Sequence, residues 1–207
     1  MKKLLLSAAM VAFGLSVNAQ EFQFGAKAGG NFANVGGEGA EDLSMRTAFH
    51  VGGVAEIKFN DKFSLQPELL YSAQGAKSES SYEDFGMTVK EETKLNLDYL
   101  NVPIMGKYYL MEGFSVEAGP QIGMLLSAKA DIEASAGGES VSEEYDLKDE
   151  MSTIDFGVNF GLGYKLDNGL AFGARYNLGL SNINDFEGSD DFKNNNGVIQ
   201  ASVGYMF

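Results

Sequence analysis

Eight times along this chain, apolar side chains recur at every second position, with polar residues or glycine between them. Successive side chains of a strand point to opposite faces, so this period predicts strands with one apolar face. The first segment sets Phe22, Phe24, Ala26, Ala28 and Phe32 against Gln23, Gly25, Lys27, Gly29 and Asn31. The second sets Phe49, Val51, Ala55, Ile57 and Phe59 against His50, Gly52, Glu56 and Lys58. The third, fifth, sixth, seventh and eighth start at Phe63, Phe114, Ile154, Leu170 and Ile199 and keep the same rhythm. In the fourth, the apolar phase switches from Leu95, Leu97 and Tyr99 to Leu100, Val102 and Ile104, which predicts a β-bulge near Tyr99 and Leu100. Each segment runs about 11–15 residues, enough to cross a bilayer at a tilt, which takes about 9–11. No helical period interrupts the series.

Tight turns alternate with long polar connections. Asn60-Asp61-Lys62, Met111-Glu112-Gly113 and Asp167-Asn168-Gly169 are short and rich in turn formers. Residues 35–46, 78–93, 130–152 and 182–196 are longer and polar, and read as loops. The asymmetry fits an all-β, eight-stranded antiparallel up-and-down transmembrane β-barrel with short periplasmic turns and long extracellular loops. A soluble barrel such as a lipocalin, with its apolar face inward, shares the period. Three features favour the membrane. The polar face is rich in glycine, a poor choice for an exposed strand surface. A narrow eight-strand lumen suits small residues among a few long ones. Aromatics such as Phe22, Phe59, Phe63, Tyr164 and Tyr205 gather near segment ends, as an interfacial girdle does.

Lys2 and Lys3 precede an apolar run over residues 4–17, and Val17-Asn18-Ala19 supplies small residues at the cleavage-reading positions. The sequence therefore predicts a signal peptide over residues 1–19 and a barrel domain over residues 20–207, with the bacterial outer membrane as destination. The absence of Cys from all 207 residues excludes disulfides, thiolate metal sites, a Cys nucleophile and a lipid-modified Cys. A formal charge of −14 argues against a nucleic-acid partner, whose phosphates need Lys and Arg.

That charge is localised. The four long connections hold twenty acidic side chains but only four basic ones, Arg46, Lys90, Lys148 and Lys193, while the rest of the exported chain balances. Solvated loops that repel their neighbours account for this pattern; a surface for divalent ions bridging to lipopolysaccharide phosphates is the alternative. No loop matches the spaced carboxylates of a Ca²⁺-binding loop. On the inward face stand Lys27, Glu56, Lys58, Glu68, Lys107, Glu117, Asp155 and Arg175. An unpaired charge is costly in a narrow lumen, so these groups are expected to satisfy one another as a polar plug. An ion or proton pathway is the alternative reading.

Four pieces, Leu65-Gln66-Pro67-Glu68-Leu69-Leu70-Tyr71-Ser72, Tyr99-Leu100-Asn101-Val102-Pro103-Ile104, Glu117-Ala118-Gly119-Pro120 and Arg175-Tyr176-Asn177-Leu178-Gly179-Leu180, stand in matching order along the exported chain. Together they resemble the small PorT-type outer-membrane β-barrel family of Bacteroidota. The resemblance implies an eight-stranded barrel and points to the type IX secretion system. The chain end, with Ile199, Ala201, Val203, Tyr205 and Phe207 at two-residue steps, resembles the signal read by the barrel-insertion machinery.

The expected function is that of an integral barrel with a filled lumen, a structural protein or one that interacts through its loops. Its expected surroundings are outer-membrane lipid, lipopolysaccharide and a protein partner of unknown identity, with no cofactor. A narrow porin-like channel is the first alternative, although porins use sixteen or more strands. A lipid-modifying enzyme is the second. It needs an activated nucleophile and a base, and here His50 is the only histidine, with no Gly-x-Ser-x-Gly or His-Glu-x-x-His in the chain.

Overall fold

A computed structural model describes residues 21–84, 87–137, 139–186, 188–189 and 192–207. The expected signal peptide, and the loop acids Glu187, Asp190 and Asp191, lie outside the described residues. The strands are β1 (Glu21–Gly37), β2 (Ser44–Lys58), β3 (Phe63–Asp84), β4 (Met87–Met111), β5 (Phe114–Ala136), β6 (Glu139–Asp146), β7 (Ile154–Lys165), β8 (Leu170–Gly179) and β9 (Asn194–Met206). Eight of them pair antiparallel in a closed ring, β1-β2-β3-β4-β5-β7-β8-β9, and β9 returns to β1 through pairs such as Ala28 with Val203. Closure leaves no strand edge inside the ring, which a lipid-exposed sheet requires.

The two faces separate as the alternation predicts. Phe24, Phe49, Leu69, Ile122, Phe160 and Val203 are exposed on the outer wall, whereas Asn31, Glu68, Gln121, Asn159 and Arg175 are buried inside. Phe22 and Phe32 mark the two ends of the apolar band on β1. Ten residues at about 3.3 Å each, tilted about 40°, project to roughly 25 Å, the height of an outer-membrane apolar belt. Inside, glycine makes room for long partners. A Cβ on Gly163 would lie 2.3 Å from a Glu117 carboxylate oxygen.

The predicted bulge is in a different strand. The inward side of β4 runs without a slip through Leu97, Tyr99, Asn101, Met105 and Lys107, while Val102 and Ile104 face outward. The extra residue is Leu126 of β5, because Asp98 pairs with Ser127 and Tyr99 pairs with Leu125. The apolar phase of β4 changes because the lumen itself turns apolar at that height. Val35, Ala76, Leu97, Tyr99, Leu125, Ala128, Met151 and Ile183 form a buried cluster at the loop end of the barrel. An inward apolar residue there imitates a register shift.

Two of the four expected loops are strands. Residues 77–84 of β3 pair with residues 87–94 of β4, residues 89–96 of β4 pair with residues 129–136 of β5, and β5 carries β6 on its other side. The result is a four-stranded sheet rising beyond the ring. One face is wholly polar, and on the other Glu91 and Glu143 interrupt Tyr82, Val89, Ile132, Ala134 and Val141, so the apolar period is broken across the sheet although Tyr82, Val89, Thr93, Val141 and Tyr145 favour strand geometry. Side-chain bridges knit its rows: Lys77 to Glu79 at 2.5 Å, Lys94 to Glu92 at 2.9 Å and Lys129 to Glu144 at 2.7 Å. The hydrogen bond from Lys77 raises its own pKa above the ordinary lysine value and lowers that of Glu79.

With the short turns in the periplasm, protease added to whole cells should cut only within residues 35–46, 78–93, 130–152 or 182–196. Peptide mapping by mass spectrometry checks this. Cleavage at Asp61, Glu112 or Asn168 in sealed cells would reverse the orientation.

Candidate functional site

The inward residues stack in three tiers. Nearest the short turns lies a charge cluster centred on Glu68, whose side chain is 0% exposed. Lys27 donates to Glu68 Oε2 at 2.8 Å, Arg175 reaches both carboxylate oxygens at 2.7 and 3.0 Å, and Gln66 donates to Oε1 at 2.8 Å. Arg175 also meets Glu117 at 3.3 Å. Lys107 lies 3.5 Å from Glu117 and 3.8 Å from Glu56. Glu56 accepts in addition from Ser64 at 2.6 Å, from Tyr109, and from Lys165 at 3.3 Å. The chain of pairs is continuous from Lys27 to Lys165. Six sequence-derived positions, Lys27, Glu56, Glu68, Lys107, Glu117 and Arg175, are thus brought into one network.

Two positions stand apart. Lys58 pairs with Glu21 at 3.4 Å on the rim. Asp155, expected among the charges, sits one level higher and meets no cation among the described residues. Its carboxylate accepts from Ser181 at 2.5 Å and from Asn196 at 2.9 Å, because β7 enters the ring from the loop end and places its second residue above the charges. Lys165 was absent from the expected set, although it lies on the polar face of its segment. Its position at the end of β7 gave no sign that its side chain reaches back to Glu56.

The middle tier is an amide layer. Asn31 Nδ2 donates to the Ala73 carbonyl at 2.7 Å and the Phe49 carbonyl at 3.0 Å, which fixes the orientation of its amide. Its Oδ1 therefore accepts, from His50 Nδ1 at 2.8 Å and from Gln200 at 3.1 Å. The proton of His50 is then on Nδ1, and Nε2 accepts from the Ser202 hydroxyl at 2.9 Å. Both ring nitrogens are occupied. Gln121, Asn159 and Asn177 continue the layer at 3.2 Å spacings. Above it lies the apolar tier, in which Tyr99 is 1% exposed. Among the described residues no group of metal-ligating side chains stands close enough to hold an ion.

At the turn end, Phe207 follows β9, donates its backbone N–H to Phe24 O at 2.7 Å and sets its ring edge-on to Tyr205 at 5.6 Å. It is 77% exposed on the outer wall and packs into no core. Tyr205 also faces outward, so both members of the expected assembly signal are displayed to the membrane side.

The description "Outer membrane protein beta-barrel domain" belongs to a family model that matches residues 18–185. Among solved structures, Ail, the attachment invasion locus protein of Yersinia pestis, aligns over 90% of this chain and 99% of its own, at 15% identity and a TM-score of 0.47. Neisserial surface protein A aligns over 92% of this chain and 100% of its own, at 14% identity and a TM-score of 0.43. No curated protein sequence matches the chain. The family match spans most of the barrel strands, and with the closed ring and its apolar outer band it places this protein in the outer membrane protein beta-barrel domain family.

Proposed function

We propose that this protein is a non-conducting, non-catalytic barrel that acts through what it displays outside the cell, as a structural or interaction protein. The observation that carries this reading is the lumen. Charge, amide and apolar tiers follow one another along it, and the gap beside Lys27, Gln66, Lys107, Glu117 and Arg175 measures only about 60 Å³, which counts against a solute path. The saturation of His50 counts against a free general base. What remains for recognition is the sheet above the ring. β6 pairs with no strand but β5 among the described residues, and Val141 and Tyr145 are exposed on it.

Within the same reading, the PorT-type resemblance supplies a setting, type IX secretion. Tyr205 and Phe207 supply a handle for the barrel-insertion machinery, and lipid and lipopolysaccharide surround the wall. The test is site-specific photo-crosslinking in intact cells, comparing Tyr145 on β6 with Phe160 on the lipid-facing wall. A discrete protein adduct at Tyr145 but not at Phe160 is expected. Adducts no different at the two positions would overturn the interaction reading.

A further inference from the structure

A cavity of about 250 Å³ opens above the apolar tier, between the long connections at the extracellular mouth. Leu43, Leu95, Leu147, Met151, Ile183 and Phe186 supply its apolar wall. Its frame is pinned by backbone bonds rather than by side-chain packing alone. Ser152 N–H donates to Ile183 O at 2.8 Å, Ile183 N–H to Asn194 O at 2.9 Å, and Asp185 N–H to Glu150 O at 2.8 Å. Asn194 Nδ2 ties the fourth connection to the first through Glu38 O at 3.0 Å. A pocket held this way exists before any ligand arrives, so little ordering cost opposes binding. An apolar cavity of about 150 Å³ takes up benzene, so this one has room for a ring and a short chain.

The rim is acidic. Residues 38–43, 147–151, 183–186 and 193–194 carry Glu38, Glu41, Asp42, Asp149, Glu150 and Asp185 against Lys148 and Lys193. Glu150 lines the cavity itself, and Phe186, 43% exposed, presents a ring beside it. A carboxylate and an open aromatic face both attract an organic ammonium. An anionic ligand is repelled by both, and an uncharged one gains neither the charge–charge nor the cation–π attraction.

We propose that the extracellular mouth is a binding site for a small organic cation, an amine carrying one ring or a short branched alkyl group. The apolar body sits on Met151 and Ile183, and the ammonium stays at the rim beside Glu150 and Phe186. The site needs no opening of the lumen and no protein partner.

The probe is 2-phenylethylamine, with 3-phenylpropanoate as its counterpart of similar size and opposite charge. Barrel in lipid nanodiscs, labelled with ¹³C at Met and Ile methyls, is titrated with each. The Met151 and Ile183 methyl signals should shift saturably with the amine, and bind the carboxylate roughly fivefold more weakly. Ala40→Phe, which fills the cavity, should abolish both shifts, and Leu43→Trp does so by a second route if the first variant fails to close its barrel. Glu150→Gln should keep the shifts and reduce the preference for the amine. Absence of saturable shifts, their persistence in a filled cavity, or equal affinity for amine and carboxylate would each overturn the proposal.

Discussion

Replacing Glu68 with alanine should lower the melting temperature of the refolded barrel more than any other single change in the lumen. Among the described residues Glu68 is the one carboxylate within 3 Å of two cations, Lys27 at 2.8 Å and Arg175 at 2.7 Å, and it is fully covered. Without it Lys27 keeps no carboxylate within ion-pair distance among the described residues, and Arg175 keeps only Glu117 at 3.3 Å. Removing one partner of a buried pair costs of order 3–5 kcal/mol, and water entering from the turn end brings the expected loss toward the lower figure. Arg175→Ala should cost less, because Glu68 keeps Lys27 and Glu117 keeps Lys107. Adding Lys27→Met to Glu68→Ala should recover part of the loss, since one uncompensated cation goes. Heat-modifiable gel migration and thermal unfolding in detergent give the ranking. An alanine variant at Glu68 as heat-resistant as the parent, or one that outlasts Arg175→Ala, contradicts the network.

Deleting Phe207 should have a large effect of a different kind. Its ring packs into no core, and the single backbone bond to Phe24 is at the rim, so the refolded barrel should melt close to the parent. In cells, the same deletion should sharply reduce the amount reaching the outer membrane, because the terminal aromatic of the proposed assembly signal is lost. Quantifying the protein in outer-membrane fractions, beside a melting curve of refolded material, separates the two roles. Normal outer-membrane levels would remove the signal; an equal fall in melting temperature would make Phe207 merely structural.

The outer wall was legible in the sequence because lipid imposes one rule on every outward position. Phe24, Phe49, Phe160 and Val203 all obey it, and the strand number follows from counting runs that do. The interior obeys no single rule. Its polarity changes with height, so Leu97 and Tyr99, which are buried in the apolar cluster at the loop end, looked like outward residues displaced by a bulge. Register decides which charges meet, and a period of two carries no register. Glu68, Glu117 and Asp155 were therefore equivalent partners for Arg175 until β3 and β8 were placed across the lumen. The reach of Lys165 to Glu56 is hidden for the same reason. The sheet of β3 to β6 above the ring was hidden because acids interrupt even its more apolar face, Glu91 beside Ala134 and Glu143 beside Ile132. Its acids, read as loop charge, are strand residues held in ladders.

The sealed lumen is the claim on which the rest depends, and single-channel recording from purified barrel in a planar bilayer tests it most directly. The three tiers predict a flat trace, with no steady conductance at either polarity of applied voltage. Stable steps in the nanosiemens range from the wild-type protein would contradict the account.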